Sequence, residues 1–346
     1  TYLMSCDLKS DGQPSVWGAT GIVPGYTKDS YSMSERNNHL RIATTSRERL
    51  ACRADPNPED NSTDGDWCRF WCCHGWETVA NSTSQVMILS LSGANGTMEV
   101  VSAATGLGET EEIKSVRYFD DFVVLVTFLR TDPLYTVDLT NNTATVLGYL
   151  KIDGYSSYMQ EYPTDGGSRM LLALGQNADP ETGFDIGLQI SLFNITDMLN
   201  PTLTIRYNVE QGDQESQWSS SEAQFEPKAL RFLPQSKLLI IPAYVGSGDT
   251  SFDGFLVVYV TPELIEERYA VSMVDGNTIR GKGICWGCAY VQSRSLVISG
   301  DATLIKGHTM KNIALTDGSS RWNASLDRPI TRKDDCCGYF WVFRPT

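Results

Sequence analysis

Residues 115–160 read SVRYFDDFVVLVTFLRTDPLYTVDLTNNTATVLGYLKIDGYSSYMQ and contain four short apolar segments in a row, each closed by a turn signal. The segment Phe122 to Phe128 is apolar on both alternating faces, as is typical of a strand that is covered on both sides. Tyr135, Val137 and Leu139 alternate with polar residues, which indicates a strand with one wetter face.

Turn chemistry separates these segments. Asp120-Asp121 and Asn141-Asn142 tolerate a left-handed backbone conformation. In Asp132-Pro133 the proline ring fixes φ between two apolar runs. Four strands joined by tight turns in so short a span predict an antiparallel meander. A meander with inner strands buried on both faces is typical of one blade of a β-propeller, so the predicted fold class is all-β.

The same pattern recurs along the chain and predicts about five blades. The other strand segments are Tyr31 to Thr45, Gln85 to Leu91 and Met98 to Val101; Met170 to Leu174, Gly187 to Phe193 and Leu203 to Val209; Ala229 to Leu233, Lys237 to Ile241, Gly254 to Val260 and Ile265 to Met273; and Gly287 to Ile313. Propellers usually close with more blades. Either some blades are degenerate or the chain is part of a longer propeller. Helix is expected at most as one turn near Pro262 to Glu267.

The predicted organisation is one propeller domain over residues 31–316, with an N-terminal segment (1–30) that could end a preceding blade. Residues 47–81 form an insertion rich in Pro, Asp and Asn, which disulfides would have to order. Residues 317–346 form a tail with a short apolar strand at Gly338 to Phe343.

Several motifs resemble a known family. VRYFDDFVVLVTFLRTDPLYTVDL and VLGYLKIDGYSSYM, with SMSERNNHLRIATT upstream and GLQISLFNIT, SEAQFEPKALRFLPQSKLLIIP and GFLVVYV downstream, are similar to the secreted C-terminal β-propeller proteins of bacteria and archaea, distant relatives of WD-type propellers. The resemblance covers roughly Ser32 to Ser299 and implies the fold and secretion rather than an activity. Relatives often have Asp-His-Lys-Ala where this chain has Glu226-Pro227-Lys228-Ala229, so no role of that histidine carries over.

The net charge of the chain limits the classes of binding partner. The net charge of −14 argues against nucleic acid and anionic membrane surfaces, and no apolar run is long enough for a spanning helix. We expect neither nucleic-acid binding nor membrane insertion.

Cysteines and glycosylation sequons predict an extracellular location. Six sequons lack Pro at the middle position, at Asn61, Asn81, Asn95, Asn141, Asn194 and Asn323. In that setting cysteines are expected in disulfides, which we assign to Cys52, Cys68, Cys72, Cys73, Cys285, Cys288, Cys336 and Cys337. The joint interpretation is a eukaryotic extracellular glycoprotein. The ninth cysteine leaves one thiol over, which could pair between chains.

The sequence contains no recognisable catalytic constellation. His39, His74 and His308 stand in unrelated contexts, and no nucleophile elbow or triad order is present. Carboxylates are so abundant that no particular pair indicates a glycosidase. We therefore expect no catalysis and no catalytic cofactor.

One acidic loop could hold a metal. Asp179, Glu181 and Asp185 offer oxygen ligands that suit a structural Ca²⁺, although their spacing is not that of an EF-hand and ordinary acidic turns have the same composition.

Two other clusters leave alternatives open. Cys285-Trp-Gly-Cys288 has the spacing of a redox motif but lies among predicted strands. Disulfide pairing with Cys336-Cys337 is therefore the preferred interpretation. A zinc site formed by both cysteine pairs is the third alternative. Trp67, Phe70, Trp71 and Trp76 could form a platform for sugars or partners, or fill the core of the stapled insertion.

These features predict a structural or adhesive subunit of an extracellular assembly (filament, cell surface or matrix), whose partners are other protein subunits such as copies of itself. A ligand-binding module for a glycan or protein is the alternative, and a carboxylate-based hydrolase at the propeller's central channel is a third. The hydrolase requires two carboxylates that converge on a solvent pocket with shifted pKa values.

We expect a disulfide to tie the tail (residues 317–346) to the propeller. A disulfide between the pairs Cys285/Cys288 and Cys336/Cys337 would close a loop of roughly fifty residues and stabilise the fold by about 3–4 kcal/mol. Without it, the aromatic strand Gly338 to Phe343 would invite pairing with another chain. Sulfurs held more than a few ångströms apart, or four free thiols, would contradict the staple.

Overall fold

The computed structural model describes residues 1–8, 16–52, 76–128, 132–179, 185–209, 218–246, 252–273 and 292–325. Within these ranges the strands are mostly antiparallel, with one isolated parallel bridge between Thr20 and Thr97. The only helical elements there are five 3-10 turns, at Ser30–Ser32, Ala94–Gly96, Thr140–Asn142, Glu222–Gln224 and Pro227–Ala229. The prediction of an all-β, mostly antiparallel chain is confirmed.

The chain divides into two compact units, Thr1–Met159 with Ala178–Phe184 and Ile195–Thr202, and Gln160–Asn177 with Asp185–Asn194 and Leu203–Thr346. The first unit holds two hairpins and two four-stranded sheets. Its strands are β1 (Tyr2–Asp7), β2 (Val16–Ile22), β3 (Met33–Arg36), β4 (His39–Ser46), β5 (Arg49–Cys52), β6 (Trp76–Ala80), β7 (Thr83–Ser90), β8 (Glu99–Leu107), β9 (Glu112–Tyr118), β10 (Phe122–Phe128), β11 (Asp132–Asp138) and β12 (Thr145–Ile152).

Strand order in this unit follows the chain. The first sheet has the order β3-β4-β7-β8 and the second β12-β11-β10-β9, while β1-β2 and β5-β6 are separate two-stranded hairpins. The hairpin β5-β6 is the stem of the predicted insertion, whose residues 53–75 lie outside the described ranges. The turn Asn141-Asn142 has positive φ at both residues, which confirms the left-handed conformation expected there. Asn37-Asn38, which the sequence analysis did not name as a turn, has the same conformation.

The third sheet has the order β13-β14-β15-β16, and most of its residues fall in the second unit. The fourth has the order β17-β19-β20-β21, with β18 also on β19, and the fifth β22-β23-β24-β25. The strands are β13 (Tyr155–Tyr162), β14 (Met170–Ala178), β15 (Asp185–Asn194), β16 (Thr202–Asn208), β17 (Ser219–Ser220), β18 (Arg231–Leu233), β19 (Leu238–Val245), β20 (Phe252–Val260), β21 (Ile265–Ser272), β22 (Ser293–Ile298), β23 (Asp301–Lys306), β24 (Thr309–Ala314) and β25 (Ser320–Ser325).

The five sheets match the expected five blades, with differences at three places. Tyr155–Tyr162 begins the third sheet, although we grouped its residues with the preceding meander. Ser320–Ser325 completes the fifth sheet from within the predicted tail, and residues 265–267 begin strand β21 where we allowed a helical turn. The tail strand Gly338 to Phe343 lies outside the described residues.

The middle strands send alternate side chains to different interfaces. In β19, Leu239 and Ile241 pack in a core cluster with residues of the third sheet, whereas Leu238 and Ile240 pack with residues of the fifth. Because side chains alternate across a strand, a continuous apolar run supplies both interfaces. In the first unit, β7 likewise divides its residues between the second sheet and the hairpin β1-β2. This confirms the prediction of strands that are covered on both sides.

Hydrogen bonds join the first and second sheets at buried and partly buried positions. Ile113 N–H donates to Thr45 Oγ1 at 3.1 Å. The Arg41 guanidinium of β4 donates to the carbonyls of Phe119 and Asp120 at 3.0 and 2.8 Å, and its charge lies 5.2 Å from the ring centroid of Tyr118. Arg41 thus binds the backbone of the β9-β10 turn from the neighbouring sheet. Burial lowers the pKa of Arg41 and raises that of the enclosed Tyr118 hydroxyl far above its usual range.

Replacing Arg41 by Met should destabilise the fold by about 1.5–3 kcal/mol, because two partly buried carbonyls lose a charged donor. Arg36→Met is the matched control. Arg36 contacts the same turn through the carboxylates of Asp120 (2.8 Å) and Asp121 (3.3 Å), and the Asp120 side chain is 94% exposed. This pair should contribute less than about 1 kcal/mol. Chemical denaturation of both variants measures the difference, and equal losses would contradict the assignment.

Candidate functional site

The segment Ser221–Ala229, which carries the departure from the related family's pattern, folds as two successive 3-10 turns. The Ser221 side chain accepts the N–H of Ala223 at 3.1 Å, and Gln224 Oε1 accepts the N–H of Ser221 at 3.0 Å, which completes a capping box. At the second turn Glu226 Oε1 accepts the N–H of Lys228 at 3.2 Å. Pro227 occupies the first position of that turn, where its missing N–H costs nothing.

A buried polar network extends from these turns to the neighbouring strands. Gln176 Nε2 donates to Ser219 O at 3.2 Å and to Gln224 Oε1 at 3.1 Å, and Ser221 Oγ donates to Pro242 O at 2.6 Å. Ser219 Oγ in turn accepts the N–H of Leu188 at 2.7 Å. The network therefore ties the third sheet to the fourth through side chains that are almost completely buried.

Two carboxylates meet one arginine where the fourth sheet approaches the fifth. Both oxygens of Glu222 accept the N–H of Ser293, at 2.9 and 3.2 Å. The Arg294 guanidinium lies 3.5 Å from Glu222 and 3.8 Å from Glu226. In this arrangement the carboxylates act as hydrogen-bond acceptors for backbone and guanidinium. The geometry joins two sheets.

The pKa of the Glu111 carboxyl is raised above its usual value. Burial is the main cause, and a hydrogen bond from the Thr127 hydroxyl and the charge of Lys151 oppose it. The groups that act on its charge thus include no second carboxylate. The acid pair that the hydrolase hypothesis requires is not found at Glu111.

The sequon asparagines that the structure describes lie at strand ends, in turns or on an outer strand. Asn81, Asn95, Asn141 and Asn323 are exposed, and Asn194 is half-buried at the end of β15. Asn61 lies outside the described residues. Glycosylation stays a prediction at all six positions.

Most of the predicted disulfides also lie outside the described residues, namely Cys68, Cys72, Cys73, Cys285, Cys288, Cys336 and Cys337, as does the side chain of Cys52. Cys6, which we left unassigned, is exposed and has a free thiol. The tail staple and the aromatic cluster Trp67 to Trp76 therefore stay predictions.

The structure also leaves the calcium hypothesis untested. Asp179 follows β14 and Asp185 begins β15, but Glu181 between them lies outside the described residues. Across the ranges that are described, no group of three His, Cys, Asp or Glu side chains is placed to hold a metal ion. His39 and His308 both lie at strand turns, and a ring nitrogen of His39 lies 2.7 Å from Asn37 O.

The repeated antiparallel sheets agree with a family comparison. The family model described as a beta propeller domain matches residues 1–317. The chain belongs to this β-propeller family. The sheets of four or more strands are its blades, and the network around Glu222 joins two successive blades.

Two curated relatives are archaeal. An uncharacterized protein of Methanocaldococcus jannaschii is 30% identical over 226 residues, which cover 65% of this chain and 28% of that protein. An uncharacterized protein of Archaeoglobus fulgidus is 27% identical over 208 residues, covering 60% and 25%. The chain thus spans about a quarter of the length of the curated relatives it matches. These relatives give no support to the eukaryotic origin that we expected.

Solved structures with a similar chain trace are distant. The crystal structure of Chaetomium thermophilum Sqt1 has a TM-score of 0.45 and 12% identity, and covers 84% of this chain and 59% of that chain. A putative dipeptidyl aminopeptidase IV from Bacteroides ovatus has a TM-score of 0.44 and 10% identity, and covers 93% and 41%. At these values the similarity assigns no activity.

The polar network includes residues that the sequence did not single out. Gln176, Glu222 and Arg294 were missed because their partners in this network lie 43 to 72 positions away along the chain. The capping box at Ser221 and Gln224 was the one local signal, since its spacing is readable from the sequence.

Replacing Glu222 by Ala should destabilise the propeller by about 2 kcal/mol, because a backbone N–H and a guanidinium lose their acceptor. Glu226→Asp is the matched control: it introduces the residue common in the resembled family and retains a capping carboxylate, so its effect should stay below about 1 kcal/mol. Denaturation midpoints followed by tryptophan fluorescence compare the two. A smaller effect at Glu222 than at Glu226 would contradict the assigned role.

Glu111→Gln should make stability less dependent on pH. The pKa of Glu111 is raised in the folded state, so its contribution to stability is complete below its unfolded value of 4.5 and is lost as pH rises through the folded pKa. The variant cannot ionise and keeps an acceptor for Thr127. We expect its stability relative to the wild type to increase between pH 4 and pH 7, as measured by denaturation at each pH. A constant difference would contradict this assignment.

Proposed function

We propose that this chain is a secreted, N-glycosylated β-propeller that acts without catalysis as a structural or adhesive subunit of an extracellular assembly. The observation that carries the proposal is an apolar surface on the hairpin β1-β2. Tyr2, Met4, Trp17 and Ile22 are 87, 65, 56 and 70% exposed there. We call these four side chains the hairpin surface.

The hairpin surface differs from scattered exposed apolar residues because its members share one face. Tyr2 pairs with Ile22 and Met4 with Thr20, and the register then shifts so that Cys6 pairs with Trp17. The shift brings Trp17 to the same face as Tyr2 and Met4. The opposite face, with Leu3 and Ala19, packs against the first blade. A contiguous exposed apolar patch on a soluble domain commonly marks an interaction site.

Charge also favours association at this place. The chain has a net charge of −14, which makes most approaches between copies repulsive. β1 and β2 together carry one charged side chain, Asp7. The hairpin surface is therefore a place where another subunit can approach with little charge repulsion.

Secretion and glycosylation have separate support. Four of the six sequon asparagines are exposed, as attachment of a sugar requires. Within the described ranges no helix has the length and apolar character that crossing a bilayer requires, and the support here comes from the exposed sequons alone. The exposed face equally suits a ligand-binding module, but an apolar surface without clustered polar groups fits a protein partner better than a glycan.

The assembly proposal is tested with the purified full chain. Light scattering after size-exclusion chromatography should show association that increases with concentration, and Trp17→Glu should weaken it at least tenfold. Phe225→Glu is the matched control, since Phe225 is 75% exposed outside the hairpin. A chain that stays monomeric at about 100 µM would overturn self-assembly, because a dimer Kd above that concentration is too weak for a structural subunit.

Peptide mass spectrometry before and after glycosidase treatment tests N-glycosylation. Six unmodified sequons in the native protein would overturn the proposed glycosylation.

A further inference from the structure

Strand β1 has an open edge. It pairs with β2 on one side, and no strand of the described ranges pairs with the other. The irregularity in this hairpin falls on β2: three steps of β2, from Thr20 to Trp17, face two steps of β1, from Met4 to Cys6. β1 itself is therefore regular and extended along Tyr2–Asp7. A regular, apolar edge strand is a template for pairing with another strand.

The outer strands of four blades differ from β1 because they are protected. In the pairings of β8, β12, β21 and β25 the extra residue lies on the outer strand, at Val101, Leu147, Arg268 and Arg321. Each of these strands also carries at least one charged side chain. Bulges and charges on edge strands are the usual protection against edge-to-edge pairing.

We propose that β1 pairs antiparallel with β1 of a second copy of this chain. This deepens the proposed function and rests on it, since it assigns the mode of self-assembly. A two-fold axis perpendicular to the sheet keeps Tyr2 and Met4 on one face in both copies. Two registers with an overlap of five residues meet this condition, and we choose the one that leaves the charged Asp7 of each copy outside the pairing. It places Met4 opposite the partner's Met4 and Tyr2 opposite the partner's Cys6.

The second copy is the occupant that the observations favour. A strand paired with itself about a two-fold axis is an isologous contact, in which the same surface serves both subunits. The hairpin is a two-stranded sheet, whereas the blades have four or more strands. Pairing at β1 would give a four-stranded sheet β2-β1-β1-β2 across the dimer. It would also join the two hairpin surfaces into one apolar face.

Disulfide trapping tests this register. In a Cys6→Ser background, Met4→Cys should give a covalent dimer under mild oxidation, because opposed residues of antiparallel strands have Cα atoms about 4.5–5.5 Å apart, within disulfide reach. Thr20→Cys in the same background is the control. It lies on the same face but three strand spacings from its copy, about 14 Å. Trapping at position 20 as fast as at position 4 would overturn the proposal.

Association strength provides the second measurement. Met4→Lys should raise the dimer Kd at least tenfold, because it places a charge on the pairing edge, whereas Val146→Lys on the bulged strand β12 should change it less than twofold. Cys6→Ser should leave it unchanged, since pairing is non-covalent. If the chain associates but Met4→Lys has no effect, β1 pairing is overturned while the assembly function stands. A chain that does not associate at all overturns both.

Discussion

The structure depends on burial of both faces of its middle strands. Leu238 to Ile241 in β19 have no polar face, so the blade that contains them needs a neighbour on each side. The same holds for β7, where Met87 and Leu89 are covered by the hairpin β1-β2 rather than by a complete blade. The hairpin thus serves as a partial blade. Its own outer face then remains apolar and exposed, which follows from the same constraint.

Polar bonds between sheets add specificity to these apolar interfaces. Arg41, Ser219 and Glu222 each satisfy backbone groups on a neighbouring sheet. Apolar contact alone would allow neighbouring sheets to slide, whereas a buried backbone group without a partner is costly and therefore fixes their register. Arg41 and Glu222 thus help to hold neighbouring sheets together.

The sequence predicted what is encoded locally. The run Phe122 to Phe128, apolar on both faces, and the turn Asn141-Asn142 were found because periodicity and turn chemistry act over a few residues. Strand Tyr155–Tyr162 was not assigned to the third sheet because its Ser and Tyr residues show no apolar alternation, although Ser156 and Ser157 are buried. The Glu222 site and the hairpin surface could not be predicted, since both depend on pairings and packing between distant segments. The sequons could be identified from the sequence, whereas the exposure of their asparagines could not.

Amide hydrogen exchange along Tyr2–Asp7 measures directly whether β1 pairs with a second copy of the chain. An open strand edge leaves alternate backbone N–H groups to exchange with solvent, and pairing with a second strand protects them. The account predicts that these amides gain protection as the protein concentration is raised, while the amides of the bulged outer strand β25 do not change. Amides in β1 that exchange equally fast at low and high concentration would contradict it.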